Sequence, residues 1–156
     1  GGPMIDQNAK LGDGKKFNFT VPRLENYQYS FSGLKTSLLY FLRDQKKMDE
    51  GFIEKEMANI CASYQRTIVD YLLLNLEKAV KAYGVKDICL AGGVSANSEL
   101  RKKFNELGIK LGVNSFIPEF QYCTDNAAMI GIAAFFQFER KSFADLTYAP
   151  KASWQM

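Results

Sequence analysis

Leu90-Ala91-Gly92-Gly93-Val94-Ser95-Ala96-Asn97-Ser98 is the stretch whose reading decides the fold. An apolar run, Ile88-Cys89-Leu90, leads into it. A polar, helix-prone run, Asn97-Ser98-Glu99-Leu100-Arg101-Lys102-Lys103-Phe104, leads out. The pattern predicts a strand, a glycine turn and a helix N-terminus. Gly92 and Gly93 lack Cβ, so φ > 0 is allowed and a ligand can approach the backbone closely. Free N–H groups and the positive end of a helix dipole lie just beyond, where a phosphate or ribose is held well. Ser95 reads as the N-cap, and Asn97 offers an amide to a ribose or a base. The plain alternative is a tight strand-to-helix turn with no ligand, and it stays open, because a short glycine motif is a weak signal.

Downstream, the helix is expected to end near Leu107 with Gly108 as its C-cap. Residues 109–111 and 115–117 read as two short strands, and 118–123 as extended loop. Thr124-Asp125-Asn126 opens a last helix over 127–140, in which Ala128, Gly131, Ala133 and Ala134 permit very close packing. Upstream, Ile53, Met57, Ile60, Tyr64, Ile68, Leu72, Leu76, Ala79 and Tyr83 recur every three or four residues. They form one apolar face of a long helix that stops at Gly84. A shorter helix is expected over 34–45. Residues 17–21 and 27–31 alternate apolar and polar and read as a hairpin. A short helix around 5–10 precedes them, and 144–156 reads as loop. Strand, helix, strand, helix at the C-terminal end predicts an α/β layer structure.

At 156 residues, 47% hydrophobic and 24% charged, with twelve Phe and eight Tyr, the chain fits one domain with a real core. A net charge of +3 from 20 basic and 17 acidic residues does not by itself point to nucleic acid. No stretch approaches the length of a membrane span. Gly1-Gly2-Pro3-Met4 is neither a signal peptide nor a basic arm. Cys61, Cys89 and Cys123 are widely spaced among apolar residues, which predicts buried free thiols in a reducing compartment. There is no histidine. A His-based triad, a His metal pair and His acid–base chemistry are therefore excluded within this chain.

Two further clusters carry chemistry. In Cys123-Thr124-Asp125-Asn126, either Thr124 or Asp125 caps the last helix, or Asp125 turns its carboxylate into a cleft as a metal ligand. In Ser30-Phe31-Ser32-Gly33-Leu34-Lys35-Thr36, Lys35 can meet a phosphate and Ser32 can cap a helix, or the segment is a junction with an exposed lysine.

In chain order, Ser30–Thr36, Ala91–Asn97 and Cys123–Ile130, at this spacing, closely resemble the C-terminal half of the tRNA threonylcarbamoyladenosine transferase family (TsaD, formerly called Gcp or O-sialoglycoprotein endopeptidase). Gly1-Gly2-Pro3 looks like the end of that family's Tyr-Pro-Gly-Gly-Pro motif, and the likeness covers essentially the whole chain. It implies the C-terminal lobe of an actin-like, sugar kinase and heat-shock ATPase (ASKHA) fold, a mixed sheet packed with helices, over residues 1–156. It also implies a reaction: threonylcarbamoyl passes from threonylcarbamoyl-adenylate to the exocyclic amine of an adenosine beside the tRNA anticodon. By resemblance Gly2, Asp6 and Asn97 bind the adenylate, Gly92 and Gly93 cradle it, and Asp125 is a metal ligand. The implied metal is one divalent ion, iron, with zinc or magnesium in some members. The implied bacterial partners are a same-superfamily subunit (TsaB) and a small ATPase (TsaE), in the cytoplasm and away from membranes.

The departures bear on activity. The family's metal site also takes two histidines from a His-x-x-x-His motif in an N-terminal lobe, and this chain has none. The first strand of the fold and the Ser-Gly-Gly phosphate segment are not in it either. The chain reads as a C-terminal piece that starts within a motif and does not catalyse transfer alone. Two alternatives are a half-size, non-catalytic ASKHA-fold interaction module in tRNA modification and a superfamily kinase. The kinase is disfavoured by Cys123-Thr124-Asp125-Asn126, and the interaction module by the presence of Asn97 and Asp125.

Overall fold

The structure is a computed structural model that describes residues 1–22, 24–25 and 27–149. Five helices and two strands follow in the order α1 (Gly2–Ala9), α2 (Phe31–Met48), α3 (Phe52–Tyr83), β1 (Asp87–Cys89), α4 (Ser98–Leu111), β2 (Asn114–Phe116) and α5 (Ala127–Glu139). Helix α3 is the backbone of the molecule: α1, α2 and α4 all pack on it. Its expected apolar stripe is real but incomplete, because Cys61, Ala62, Ser63 and Gln65 are buried as well as Ile60 and Tyr64. That stretch is enclosed on more than one side.

The expected hairpin is absent. Residues 17–21 and 27–30 form no strand among the described residues, and residue 31 already belongs to α2. The polar groups of this strap are met by side chains of α3. Asn59 Oδ1 accepts from Asp13 N at 2.8 Å, and Ser63 Oγ accepts from Phe17 N and donates to Asp13 O, both at 3.1 Å. Tyr71 OH accepts from Ser30 N at 3.1 Å, and Asn75 Nδ2 donates to Gln28 O at 2.9 Å. With these partners in place, no sheet is needed to satisfy the backbone. The alternation that suggested a strand instead seats Phe17 and Phe19 against Phe41, Phe52 and Tyr64, with ring centroids 5.1–5.8 Å apart.

Strands β1 and β2 pair in parallel, Asp87 opposite Asn114 and Cys89 opposite Phe116, with α4 as the crossover. The sheet is two-stranded and parallel among the described residues, not mixed. Val80 of α3, Ile88 of β1 and Phe104 of α4 form the core here, flanked by Leu73, Leu76, Leu90, Leu111, Val113 and Ile117. Helix α4 runs one turn past the expected stop, so 109–111 is helix and not strand. Gly112 takes the left-handed conformation (φ 67°), and its N–H donates to the Gly108 and Ile109 carbonyls, as helix-ending glycines do. Gly108 serves instead as a contact: a Cβ there would collide with Ser115 Oγ and lie 3.3 Å from Val113 O.

The caps also shift. Asn97, not Ser95, caps α4, its Oδ1 accepting from Leu100 N at 2.9 Å. Asn126, not Thr124 or Asp125, caps α5 through Met129 N at 3.1 Å. Ser30 precedes α2 and Ser32 lies within it. Cys61 and Cys123 are buried as expected, while Cys89 is exposed. Residues 127–139 are exposed along the whole of α5, so the close packing expected of Ala128 and Gly131 has no partner among the described residues. The loop expected over 144–156 is irregular to residue 149, and 150–156 lie outside the described residues. No described helix is long and apolar enough to cross a membrane.

Candidate functional site

A cavity of about 530 Å³ opens where α1, the middle of α3, the glycine turn and the start of α4 meet. Its position follows from the β1–turn–α4 arrangement, which leaves the strand's carboxyl end and the helix N-terminus facing one space. Crevices of α/β units take ligands at such ends. The floor is Ile68, Val69 and Leu72 of α3, Phe120 closes one wall, and the polar residues are gathered on one side. Gly92 takes φ 81°, a conformation natural only to glycine, and the chain then makes a 3₁₀ turn over Gly93–Ala96. This turn brings Gly93, Val94 and Ala96 to the cavity edge.

The polar side is one hydrogen-bonded network. Asp6 Oδ1 accepts from Gln65 Nε2 at 3.1 Å, Asn97 Nδ2 at 3.3 Å and Ser98 Oγ at 2.9 Å. Asn97 Nδ2 also donates to Gln65 Oε1 at 2.8 Å. Three of these side chains come from different helices, and Asn97 joins them from its cap. Asp6 Oδ2 receives only a long contact, 3.4 Å from Ser98 N, and keeps accepting capacity for a ligand hydroxyl. The Asp6 carboxylate also lies at the N-terminal end of α4. Among the described residues Lys10 is the one basic residue lining the cavity.

Residues 1–132 match the family described as TsaD, tRNA N6-adenosine threonylcarbamoyltransferase. The chain belongs to this family. Curated TsaD relatives carry that same transferase name. The relative from Riemerella anatipestifer is 45% identical over 99% of this chain and 46% of its own length. The relative from Phocaeicola vulgatus is 47% identical over 94% and 43%, and that from Thermosipho africanus 44% identical over 94% and 44%. The chain thus spans about half the length of the TsaD relatives it matches.

Of the residues singled out in the sequence, Gly2, Asp6, Gly93 and Asn97 line the cavity together. Gly92 bends the chain from just outside it. Gly2 and Pro3 start α1 and do not form a turn before it. Asp125 is exposed between Cys123 and α5 and does not line the cavity. No three His, Cys, Asp or Glu side chains cluster among the described residues. A metal centre needs several convergent donors, and the described residues do not make one by themselves. Lys35 is exposed on α2, away from the cavity. Sequence reasoning missed Gln65, Ser98 and Phe120. Gln65 carried a signal: it is a polar residue beside Tyr64 and Ile68, on the apolar side of a long helix.

Proposed function

We propose that this chain supplies the adenylate-binding part of a tRNA N6-adenosine threonylcarbamoyltransferase. The carrying observation is the convergence of Gly2, Asp6, Gly93 and Asn97 on one cavity at a helix N-terminus, in a chain of the TsaD family. In this reading the chain is the C-terminal lobe of the two-lobed ASKHA fold, and the donor is threonylcarbamoyl-adenylate. Asp6 Oδ2 accepts from a ribose hydroxyl, the glycine turn admits the sugar and phosphate at close range, and the apolar floor takes the base. The exocyclic amine of a tRNA adenosine attacks the carbamoyl carbon, the bond to the phosphate oxygen breaks, and AMP leaves. The residues of this chain hold and orient the adenylate and supply no nucleophile. Orientation of this kind is a large part of what a transferase contributes.

Asp125 would give one carboxylate to a divalent metal, iron, zinc or magnesium, whose other ligands lie outside this chain, and the chain alone does not perform transfer. A TsaB-like subunit, a TsaE-like ATPase and a cytoplasmic setting belong to the same reading. The test is calorimetric titration of AMP into the chain and into Asn97→Ala, with circular dichroism as the check on folding. The expected result is binding that weakens at least about tenfold in Asn97→Ala and is unchanged in Asp125→Ala. No binding, or equal binding in Asn97→Ala, overturns this reading of the cavity.

A further inference from the structure

Arg101 stands one turn into α4 and bridges the glycine turn and the 118–123 segment. Its Nη1 donates to Ser95 O at 3.1 Å, inside the glycine turn. Its Nη2 donates to Pro118 O at 2.8 Å. Nη1 also lies 3.6 Å from Cys123 Sγ, and the guanidinium carbon sits 4.5 Å from the centre of the Phe120 ring. Between Pro118 and Cys123 the chain makes a 3₁₀ turn over Phe120–Tyr122, and Phe120 closes a wall of the cavity. Two residues beyond Cys123 comes Asp125.

The fork geometry matters. A guanidinium offers fixed, coplanar donors and a flat face, so one side chain can hold two carbonyls and stack on a ring at once. A lysine ammonium on the same stem cannot do all three. Cys123 is only 2% exposed, and its thiol donates to Glu119 O at 3.4 Å, so the turn is closed from within as well. Phe120, by contrast, is 65% exposed, so its own burial does little to place it. Its ring lies against the Arg101 guanidinium.

We infer that Arg101 is a positioning residue for the adenylate cavity: it fixes Phe120 as the cavity wall and ties the 118–123 segment, with Asp125 behind it, to the glycine turn. This rests on the reading of the cavity given above. Filling the cavity and holding the segment are then linked: each favours the other by the same factor.

The three thiols make the link measurable on the native chain. Labelling with 5,5′-dithiobis(2-nitrobenzoic acid) is followed for the parent chain, Arg101→Met and Arg101→Lys, with and without AMP. In the parent, exposed Cys89 reacts fast, while Cys61 and Cys123 react slowly. In Arg101→Met, Cys123 is expected to speed up about tenfold while Cys61, deep in α3, stays slow and reports an intact fold. Arg101→Lys falls between. AMP slows Cys123 in the parent and in Arg101→Lys but no longer in Arg101→Met. A purely structural clamp would not produce that dependence on the ligand.

Equal Cys123 rates in all three proteins overturn the inference, as does AMP protection that survives in Arg101→Met. If Cys61 is also released in Arg101→Met, Arg101→Lys decides. Selective release of Cys123 supports positioning, and joint release of both thiols overturns it. If AMP binds the parent without slowing Cys123, the link is overturned while the cavity reading stands. If AMP does not bind, the cavity reading fails and the link falls with it, and the ligand-free rates still decide whether Arg101 holds the segment.

Discussion

The Ser98 hydroxyl donates to Asp6 Oδ1 at 2.9 Å, closing a separation of 92 residues. This bond docks the first helix on the start of α4, and Gln65 and Asn97 complete the joint from α3 and the cap. Asp6→Ala leaves the Gln65 amide and the Ser98 hydroxyl without their acceptor, while Asn97 keeps Gln65 Oε1. The expected loss is about 2–3 kcal/mol of unfolding free energy, since hydrogen bonds to a charged group are the stronger kind. Ser98→Ala is expected to cost about 1 kcal/mol, and the double variant less than the sum, because the two share a bond. Urea unfolding of the three variants measures this. An additive double variant would show the bond to be of no account.

Asn97 has two tasks that substitution can separate. Asn97→Ser keeps an oxygen able to cap α4 and removes the amide that reaches Gln65 and Asp6. Its stability is expected to stay within about 0.5 kcal/mol of that cap's value, while Asn97→Ala loses about 1 kcal/mol. Both are expected to weaken AMP binding, because both take from Gln65 Oε1 its donor and leave Gln65 tied only to Asp6. Paired thermal melts and titrations distinguish a residue that only caps from one that also shapes the cavity.

Gly108 and Ser115 press together where α4 crosses β2. Gly108→Ala should gain in helix propensity and yet destabilise by about 1–3 kcal/mol through overpacking. Ser115 Oγ is buried without a hydrogen-bond partner among the described residues, so Ser115→Ala should be neutral or stabilising. The combined variant should then recover most of the loss seen in Gly108→Ala alone. A double-mutant cycle in urea tests it, and a Gly108→Ala variant as stable as the parent would show that the crossing has slack.

Glu77 ties α3 to α4. The Lys81 ammonium at 2.7 Å and the Lys110 ammonium at 3.1 Å hold its carboxyl below the usual carboxylate range. Lys16 and Asn59 do the same for Glu56. A carboxyl depressed in the folded state contributes above its unfolded value and loses that contribution as pH falls through its folded one. Unfolding midpoints should therefore drop as pH is lowered below about 4.3, the ordinary glutamate value. Their lysine partners are exposed, so added salt should flatten the drop. A midpoint indifferent to both acid and salt would count against these pairs.

The fold was legible where one physical cause writes one pattern. Ile88 to Leu90 followed by paired glycines and a polar run gives strand, turn and helix with little else possible. The long stripe from Ile53 to Tyr83 reads as helix for the same reason. It failed where one pattern has two causes. Phe17 and Phe19 alternate because an extended strap lies on α3, which writes the same period as a strand in a sheet. Gly108 and Gly112 both suit a helix end, and only the contact with Ser115 tells them apart. Asn97 was legible beside the glycine turn, whereas Asp6 was reached through the family likeness, since no local pattern joins positions 91 residues apart. Gln65 and Arg101 look like ordinary polar residues of helices until their partners are placed.

Four side chains of α3, those of Asn59, Ser63, Tyr71 and Asn75, grip main-chain atoms of Asp13, Phe17, Gln28 and Ser30. A carbonyl or an amide is the same group whatever side chain it carries. Mutational drift is therefore shared unequally between the two partners. At Gln28 and Ser30, which are gripped at their main-chain atoms, the strap can change its side chains from one lineage to another, whereas the gripping positions Tyr71 and Asn75 on α3 can change only at the cost of that segment's placement.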